Sequence, residues 1–358
     1  MSWGPRAIID SSALRHNLGV VRRYAPRAKV MAIIKANAYG HGLAPTARAL
    51  IGADAFGVAR LAEGLALRDQ GLGQRIVLLE GVFTKDDLDI VAAQGFEIVV
   101  HTAEQVALLL EWRGAKQHHV WIKVDTGMNR LGFRIEDFPG VWQALNGCRS
   151  VAANPKLMTH LASADERDSQ HTDAQVARFR VLVEKLGVER SAANSAGLLA
   201  WPQAHMEWVR PGVMLYGVSP FADGVGAAFD LRPAMTLSTR LIAVRLVKGG
   251  ERVGYGGSWT ASADSRIGIA AIGYGDGYPR QIGSGSPVLV RGKRCAIAGR
   301  VSMDMIAIDL AAASDARVGD EVTLWGQGLP VEEMATCAGT IPYELICGIS
   351  QRVTVEYR

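Results

Sequence analysis

Val30-Met31-Ala32-Ile33-Ile34-Lys35-Ala36-Asn37-Ala38-Tyr39-Gly40-His41-Gly42 is an apolar run that drives straight into a lysine. Too short for a helix and followed at once by polar and glycine residues, the run reads as a strand buried on both faces, with Lys35 at its C-terminal end. In barrels of parallel strands that end is where catalytic groups collect. An ammonium buried without a partner is costly, so a desolvated lysine of lowered pKa is expected here, the form that Schiff-base chemistry uses. Tyr39 follows across a short loop, placed to bring its hydroxyl to the same mouth. Taken alone, the pair is also compatible with a snorkelling strand-end lysine beside a packing tyrosine.

Outward from this stretch, short apolar runs alternate with amphipathic segments through the first two-thirds of the chain. Strands are expected at residues 30–34, 55–59, 75–79, 97–100, 119–124, 157–159 and 191–193, with a last near 208–210. The segments 103–112 and 173–186 carry helical spacing of apolar residues. Repeated strand and helix, about eight times over, argue for a closed parallel (β/α)8 TIM barrel. Asp10-Ser11-Ser12 and Thr84-Lys85-Asp86-Asp87 carry side-chain oxygens suited to helix starts.

After residue 230 the texture changes. Residues 236–247, 266–272, 287–290, 305–310 and 321–324 are β-rich and separated by glycine turns. The fold class is therefore α/β, with a barrel over residues 1–230 and a mostly-β domain over 231–358. The glycines of Asp223-Gly224-Val225-Gly226 suit a linker just before the boundary.

The chain of 358 residues is 49% hydrophobic and 21% charged, enough for a sizeable core in two domains. A net charge of +4 without basic runs points away from nucleic acid. Cys148, Cys295, Cys337 and Cys347 lack C-x-x-C spacing, so free thiols in a reducing compartment are expected, with no metal site and no disulfide framework. No apolar run approaches the ~20 residues that span a bilayer, and the N-terminus lacks a leader pattern. A soluble, cytoplasmic protein without membrane partners is expected.

The string IIKANAYGHG resembles the cofactor-lysine motif of the alanine racemases, pyridoxal-phosphate enzymes with a barrel and a C-terminal β domain. The likeness continues in KVDTGMNRLG (residues 123–132), THLASADE (159–166), NSA (194–196), VRPGVMLYG (209–217), VGYGGSWT (253–260), IGYGDGYPR (272–280) and GRVSMD (299–304), in the family's order along nearly the whole chain.

Racemisation removes a weakly acidic proton from Cα, so it needs an electron sink, which an aldehyde cofactor held by a lysine supplies. The resemblance implies pyridoxal 5'-phosphate on Lys35, with Lys35 as base on one face of Cα and Tyr255 as the opposite acid/base. In the family that tyrosine comes from the neighbouring subunit, which implies a homodimer with composite sites. A phenol titrating near ~10 would need a cationic or hydrogen-bonding setting to serve as base.

Asn194-Ser195-Ala196 and Arg210-Pro211-Gly212-Val213 fall where the phosphate-binding loops after the last two strands should be, Ser195 offering a hydroxyl and Gly212 and Val213 their N–H groups. Tyr39 and Asn194 are expected at the cofactor too, and by resemblance Arg210 faces the ring nitrogen with His160 in support. Arg130 reaches the phenolic oxygen and the substrate carboxylate. Lys123 matches a lysine carbamylated in many members. Met303 offers its backbone N–H to the substrate carboxylate beside Asp304, and Tyr274, Arg280, Asp165 and Ile349 match the entrance. One departure stands out: Gln351 occupies the place of a phosphate-binding tyrosine, and the proline of the following stretch is missing.

The implied activity interconverts L-alanine and D-alanine, for cell-wall precursor supply or alanine catabolism. A racemase of serine or broader specificity, a decarboxylase of the same cofactor fold and a non-catalytic pyridoxal-phosphate carrier are the competing readings.

Overall fold

The computed structural model describes residues 3–184 and 186–358. Eight parallel strands close on themselves in chain order: Lys29–Ile33, Ala55–Val58, Ile76–Leu78, Glu97–Val100, His119–Lys123, Lys156–Met158, Arg190–Ser191 and Trp208–Val209. Closure is made where Lys29 and Val30 pair with Trp208 and Val209. Each expected barrel strand is present, shifted by a residue or two at its ends. The expected helices are found as Ala103–Glu111 and Gln170–Val183; Lys185, within the second expectation, lies outside the described residues. Asp10 caps the helix Ser11–Tyr24 by accepting from the N–H groups of Ser12 and Ala13, and Thr84 caps Lys85–Gln94.

Inward-facing side chains fill the barrel as a plug: Met31, Ile33, Ala55, Val77, Val99, Trp121, Met158 and Trp208. Beneath it, toward the strand N-termini, buried Glu97 receives Arg75, Lys156 at 3.3 Å and the Trp121 indole at 2.7 Å. The plug and this network close the lower end. Chemistry is therefore confined to the C-terminal mouth.

The second domain is an eight-stranded sheet in the order Ser265–Ala270, Ile306–Asp309, Lys293–Ile297, Pro287–Val290, Glu321–Trp325, Met235–Val247, Arg6–Ile9 and Thr354–Tyr357. Two short helices, Val331–Ala338 and Pro342–Cys347, follow the sheet's central strands.

The N-terminal strand departs from the division at residue 230. Arg6–Ile9 pairs antiparallel with Met235–Val247 and parallel with Thr354–Tyr357, so the chain begins in the β domain before entering the barrel. Nor is the glycine stretch a free linker. The Gly226 N–H donates to Glu332 Oε1 at 2.9 Å, and a Cβ on Gly226 would lie 2.1 Å from the Gly217 carbonyl. The first ties this stretch to the helix Val331–Ala338 of the β domain, and the second packs it against the end of the barrel segment.

Candidate active site

The strand Lys29–Ile33 ends against its neighbour with Ile34 N–H donating to the Gly57 carbonyl at 3.0 Å, and Lys35 is the next residue out. Lys35 is exposed at the mouth rather than desolvated, because the strand stops at Ile33, two residues before it. Beyond it the backbone does something that composition gives no hint of. Ala36, Asn37, Ala38 and Tyr39 have φ of 53, 52, 54 and 53°, a full left-handed turn made without glycine. Such a conformation costs roughly 1–2 kcal/mol for each residue carrying a Cβ, so the surroundings must hold it. Gly40, at φ 80°, ends the turn where a Cβ would lie 2.1 Å from the Ile346 carbonyl of the β domain.

The turn swings Tyr39 inward. Its ring stacks on Tyr216 at 4.7 Å and lies 6.2 Å from Tyr343, and burial pushes its phenol up from the usual value. The Tyr216 hydroxyl donates to the Ile33 carbonyl at 3.0 Å, which fixes the stack to the strand carrying Lys35. Tyr39 thus reaches Gly212, where a Cβ would come within 2.5 Å of the Tyr39 hydroxyl. Opposite, Ser195 Oγ accepts from the N–H groups of Gly212 at 2.9 Å and Met214 at 3.4 Å. Asn194 caps the helix Ser195–Ala200 by accepting from Gly197 N–H, which sets Ser195 as its first residue, and Val213 opens the adjoining 3-10 turn. Hydroxyls, N–H groups and a helix start converge here, the donor set of an anion site.

Beside it lies a concentration of positive charge. Arg210 is buried and has neutral partners: Ser191 Oγ and the Thr159 carbonyl at 2.5 Å each, and the Ala192 carbonyl at 3.2 Å. Burial lowers its pKa to about 10. Lys123, at the end of His119–Lys123, is lowered to about 8 by burial and then by Arg210, Arg130 and Lys35, with Asp125 acting the other way. Burial, then Arg210, Lys123, Arg130 and Lys35, hold His160 well below its usual value, so it is neutral. Arg130 is exposed on the loop that Asp125 organises, its Oδ1 accepting from Gly127, Met128 and Asn129. Four cations at one mouth, with Asp125 already bonded to its own loop, make a site for an anionic ligand.

The β domain presents a different surface. Tyr255 sits in the turn Tyr255–Gly257 between two short strands and is 69% exposed. Met303 at 52%, Met305 at 44% and Tyr274 at 42% are also open to solvent. Tyr274 N–H donates to the Ser302 carbonyl and Gly275 N–H to the Met303 carbonyl, so the two loops are locked together. Arg352 clasps both, reaching Asp276 at 3.2 Å and Asp304 at 2.6 Å. Arg280 and Asp165 are exposed, Ile349 is half-buried, and Asp165 acts electrostatically on Tyr343.

Family sequence models described as the N-terminal and C-terminal domains of alanine racemase match residues 9–220 and 234–357. The chain belongs to the alanine racemase family. An alanine racemase of Aeromonas hydrophila is 51% identical over 351 residues, 98% of each chain, and one of Vibrio cholerae is 50% identical over 98% and 97% of the two chains. The crystal structure of biosynthetic alanine racemase from Pseudomonas aeruginosa superposes with a TM-score of 0.96 at 43% identity, and that of alanine racemase from Acinetobacter baumannii with 0.94 at 39%, each over 100% of both chains.

Within this alanine racemase fold, the structure gathers Lys35, Tyr39, Lys123, Arg130, His160, Asn194, Ser195, Arg210, Gly212 and Val213 around one mouth. It leaves Tyr255, Tyr274 and Met303 on the β domain's exposed face. Sequence reasoning missed Tyr343, Tyr216, Arg352 and Glu63. Tyr343 and Tyr216 become relevant only because they pack against Tyr39. Arg352 stands in the C-terminal stretch compared with the family, but its two carboxylate partners are distant in sequence. For Glu63 the available signal was its place three residues after Arg60, the position from which a carboxylate reaches back to a helix start.

Proposed function

We propose that this chain interconverts L-alanine and D-alanine with pyridoxal 5'-phosphate, as a homodimer. The observation that carries the reading is the barrel mouth itself: a strand-end lysine, three further cations and a neutral histidine beside a pocket of hydroxyl and N–H donors. The residues present fit a group that is anionic at one end and a flat ring at the other. Even a Cβ on Gly212 would crowd the Tyr39 hydroxyl, which supports a close cradle for a phosphate between Tyr39, Ser195, Gly212 and Val213. Lys35 would hold the aldehyde, Arg210 would face the ring nitrogen, and Arg130 the phenolic oxygen.

When bound, the cofactor supplies an aldehyde for the substrate amine and a conjugated ring that withdraws electrons from Cα. Arg210 does not release its proton to a ring nitrogen, so it donates a hydrogen bond while leaving that nitrogen without added charge. Neutral His160 supports Arg210 without competing for protons. Arg130 and the backbone N–H of the partner's Met303 would orient the substrate carboxylate. Lys35 moves a proton at one face of Cα, and the partner subunit's Tyr255 moves one at the other. The cations at the mouth favour a phenolate there.

Lys123, lowered to about 8, keeps a share of neutral amine near neutrality, which supports its addition of carbon dioxide to give a carbamate facing Arg130. The β domain of residues 231–358 would complete the partner's site. The exposed apolar surface of Tyr255, Tyr274, Met303 and Met305 supports an isologous dimer.

The test is chiral chromatography of purified protein incubated with L-alanine, with and without added pyridoxal phosphate, beside Lys35→Ala. Cofactor-dependent appearance of D-alanine that Lys35→Ala abolishes is expected. Conversion of serine in preference to alanine would move the reading to a broader racemase, and a bound chromophore without exchange of the Cα proton would move it to a carrier.

A further inference from the structure

We propose that Glu63 is the positioning residue of Lys35, holding the left-handed turn that follows it. This rests on the reading of Lys35 as the cofactor lysine. Ile34 makes the last ladder bond of its strand, so Ala36 carries the first backbone N–H beyond both the sheet and Lys35. That N–H donates to Glu63 Oε1 at 2.7 Å. The other oxygen of the same carboxylate, Oε2, accepts from Ala59 N–H at 2.7 Å and Arg60 N–H at 3.1 Å. Glu63 therefore staples the C-terminal ends of two adjacent barrel strands, Lys29–Ile33 and Ala55–Val58, across the mouth.

The two oxygens do different things. Oε2 serves the start of the helix Leu61–Asp69, which is the ordinary use of a glutamate at that position. Oε1 is not needed for that, and it is spent on the residue next to Lys35. Farther along, the turn is held by its own backbone: Ala38 N–H to the Ile34 carbonyl at 2.9 Å, Gly40 to Ala36 at 3.1 Å and Gly42 to Asn37 at 3.0 Å. Its exit is held by the Asn37 side chain, which accepts from Leu43 N–H. At its entry, Ala36 has a bond from the Glu63 side chain. Ala36 and Asn37 are both exposed, so packing does not hold them. Glu63 is thus the side-chain restraint at the entry of the strained turn that follows Lys35.

The experiment compares native protein with Glu63→Gln and Glu63→Ala, first without cofactor. Glutamine keeps the shape and one oxygen; satisfying the helix start with that oxygen turns the amide N–H2 toward Ala36, donor against donor. In cofactor-free Glu63→Gln, amide hydrogen exchange over residues 36–40 should rise at least ten-fold, while residues 59–64 change less. With cofactor, kcat should fall about ten-fold or more while KM for alanine stays within about two-fold, and the absorbance of lysine-linked cofactor should weaken. Glu63→Ala should exceed these effects in both segments. Unchanged exchange over residues 36–40, or an increase confined to 59–64 with normal kcat, would overturn the proposal. If native protein racemises nothing, the functional reading fails separately, and the exchange result still decides what Glu63 holds.

Discussion

The barrel mouth and the β domain's face are built by opposite rules. At the mouth several side chains are over-determined: Arg210 has three bonds, Tyr39 is stacked, Ser195 meets two N–H groups, and a left-handed turn is held from several sides. On the face, Met303 projects from a loop locked to its neighbour and Tyr255 from a short turn, and both side chains are exposed. The first is half of a site already organised for a ligand. On the proposed reading the second meets another chain, and its exposed side chains would gain partners there. The difference separates preorganisation within one chain from completion by assembly.

That contrast can be broken most directly at Tyr255. Because its side chain is largely exposed and without hydrogen-bond partners among the described residues, Tyr255→Phe should leave unfolding stability within about 0.5 kcal/mol. It should nonetheless lower turnover by about 10²–10⁴-fold, the worth of a positioned acid/base. Urea titration and the chiral assay check both halves, and a large stability loss would show that Tyr255 is held within its own chain.

A smaller effect tests the mouth. Gly212→Ala brings a Cβ within 2.5 Å of the Tyr39 hydroxyl, at a residue whose φ of −117° does not itself require glycine. Cofactor affinity, read by fluorescence titration, should weaken about ten-fold, a loss of about 1.4 kcal/mol. Tyr39→Phe removes both the clash and the hydroxyl's own contact, so the double variant should bind no worse than Tyr39→Phe alone; additive losses would mean the cradle is looser than the geometry indicates.

Lys123 gives a pH signature. Its folded pKa lies below that of the unfolded chain, so between about 8 and the ordinary 10.5 the unfolded state holds a proton the folded state has released, and stability rises with pH. In CO2-free buffer, Lys123→Met should be the more stable protein at pH 7, by on the order of 1 kcal/mol, with the advantage shrinking through that window. A constant difference across pH would remove burial beside these cations as its cause. Smallest is Gln351→Tyr, which on the proposed reading would put a hydroxyl back near the phosphate. The ratio of alanine to serine turnover should shift within about three-fold, with tighter cofactor retention as the expected companion. An unchanged ratio and unchanged retention would show that Gln351 sits outside the site.

Much of this architecture is legible in the sequence. The parallel barrel announces itself because strands buried on both faces are continuous apolar runs, and the run at residues 97–100 coincides with the observed strand Glu97–Val100. The cluster of site residues at one mouth is legible through family motifs spread along the chain. The left-handed turn is not, since Ala36, Ala38 and Tyr39 have no preference for positive φ and only Gly40 hints at it. The exposure of Lys35 is missed because one apolar residue, Ile34, lies between the last strand residue and the lysine. Arg6–Ile9 gives no local sign of its sheet, since its partners begin at Met235 and Thr354. Tertiary packing alone brings Tyr343 to Tyr39.

The central claim is that one chain's mouth works with another chain's face. Mixing Lys35→Ala protein with Tyr255→Phe protein, after dissociation and reassociation, tests it while removing no more than a hydroxyl from the face that would meet the partner. Each mixed dimer then holds one site with both native residues and one with neither, so random pairing should restore about a quarter of native racemase activity. Activity that stays at the level of the two separate variants would mean that Lys35 and Tyr255 must come from the same chain, contradicting the composite site.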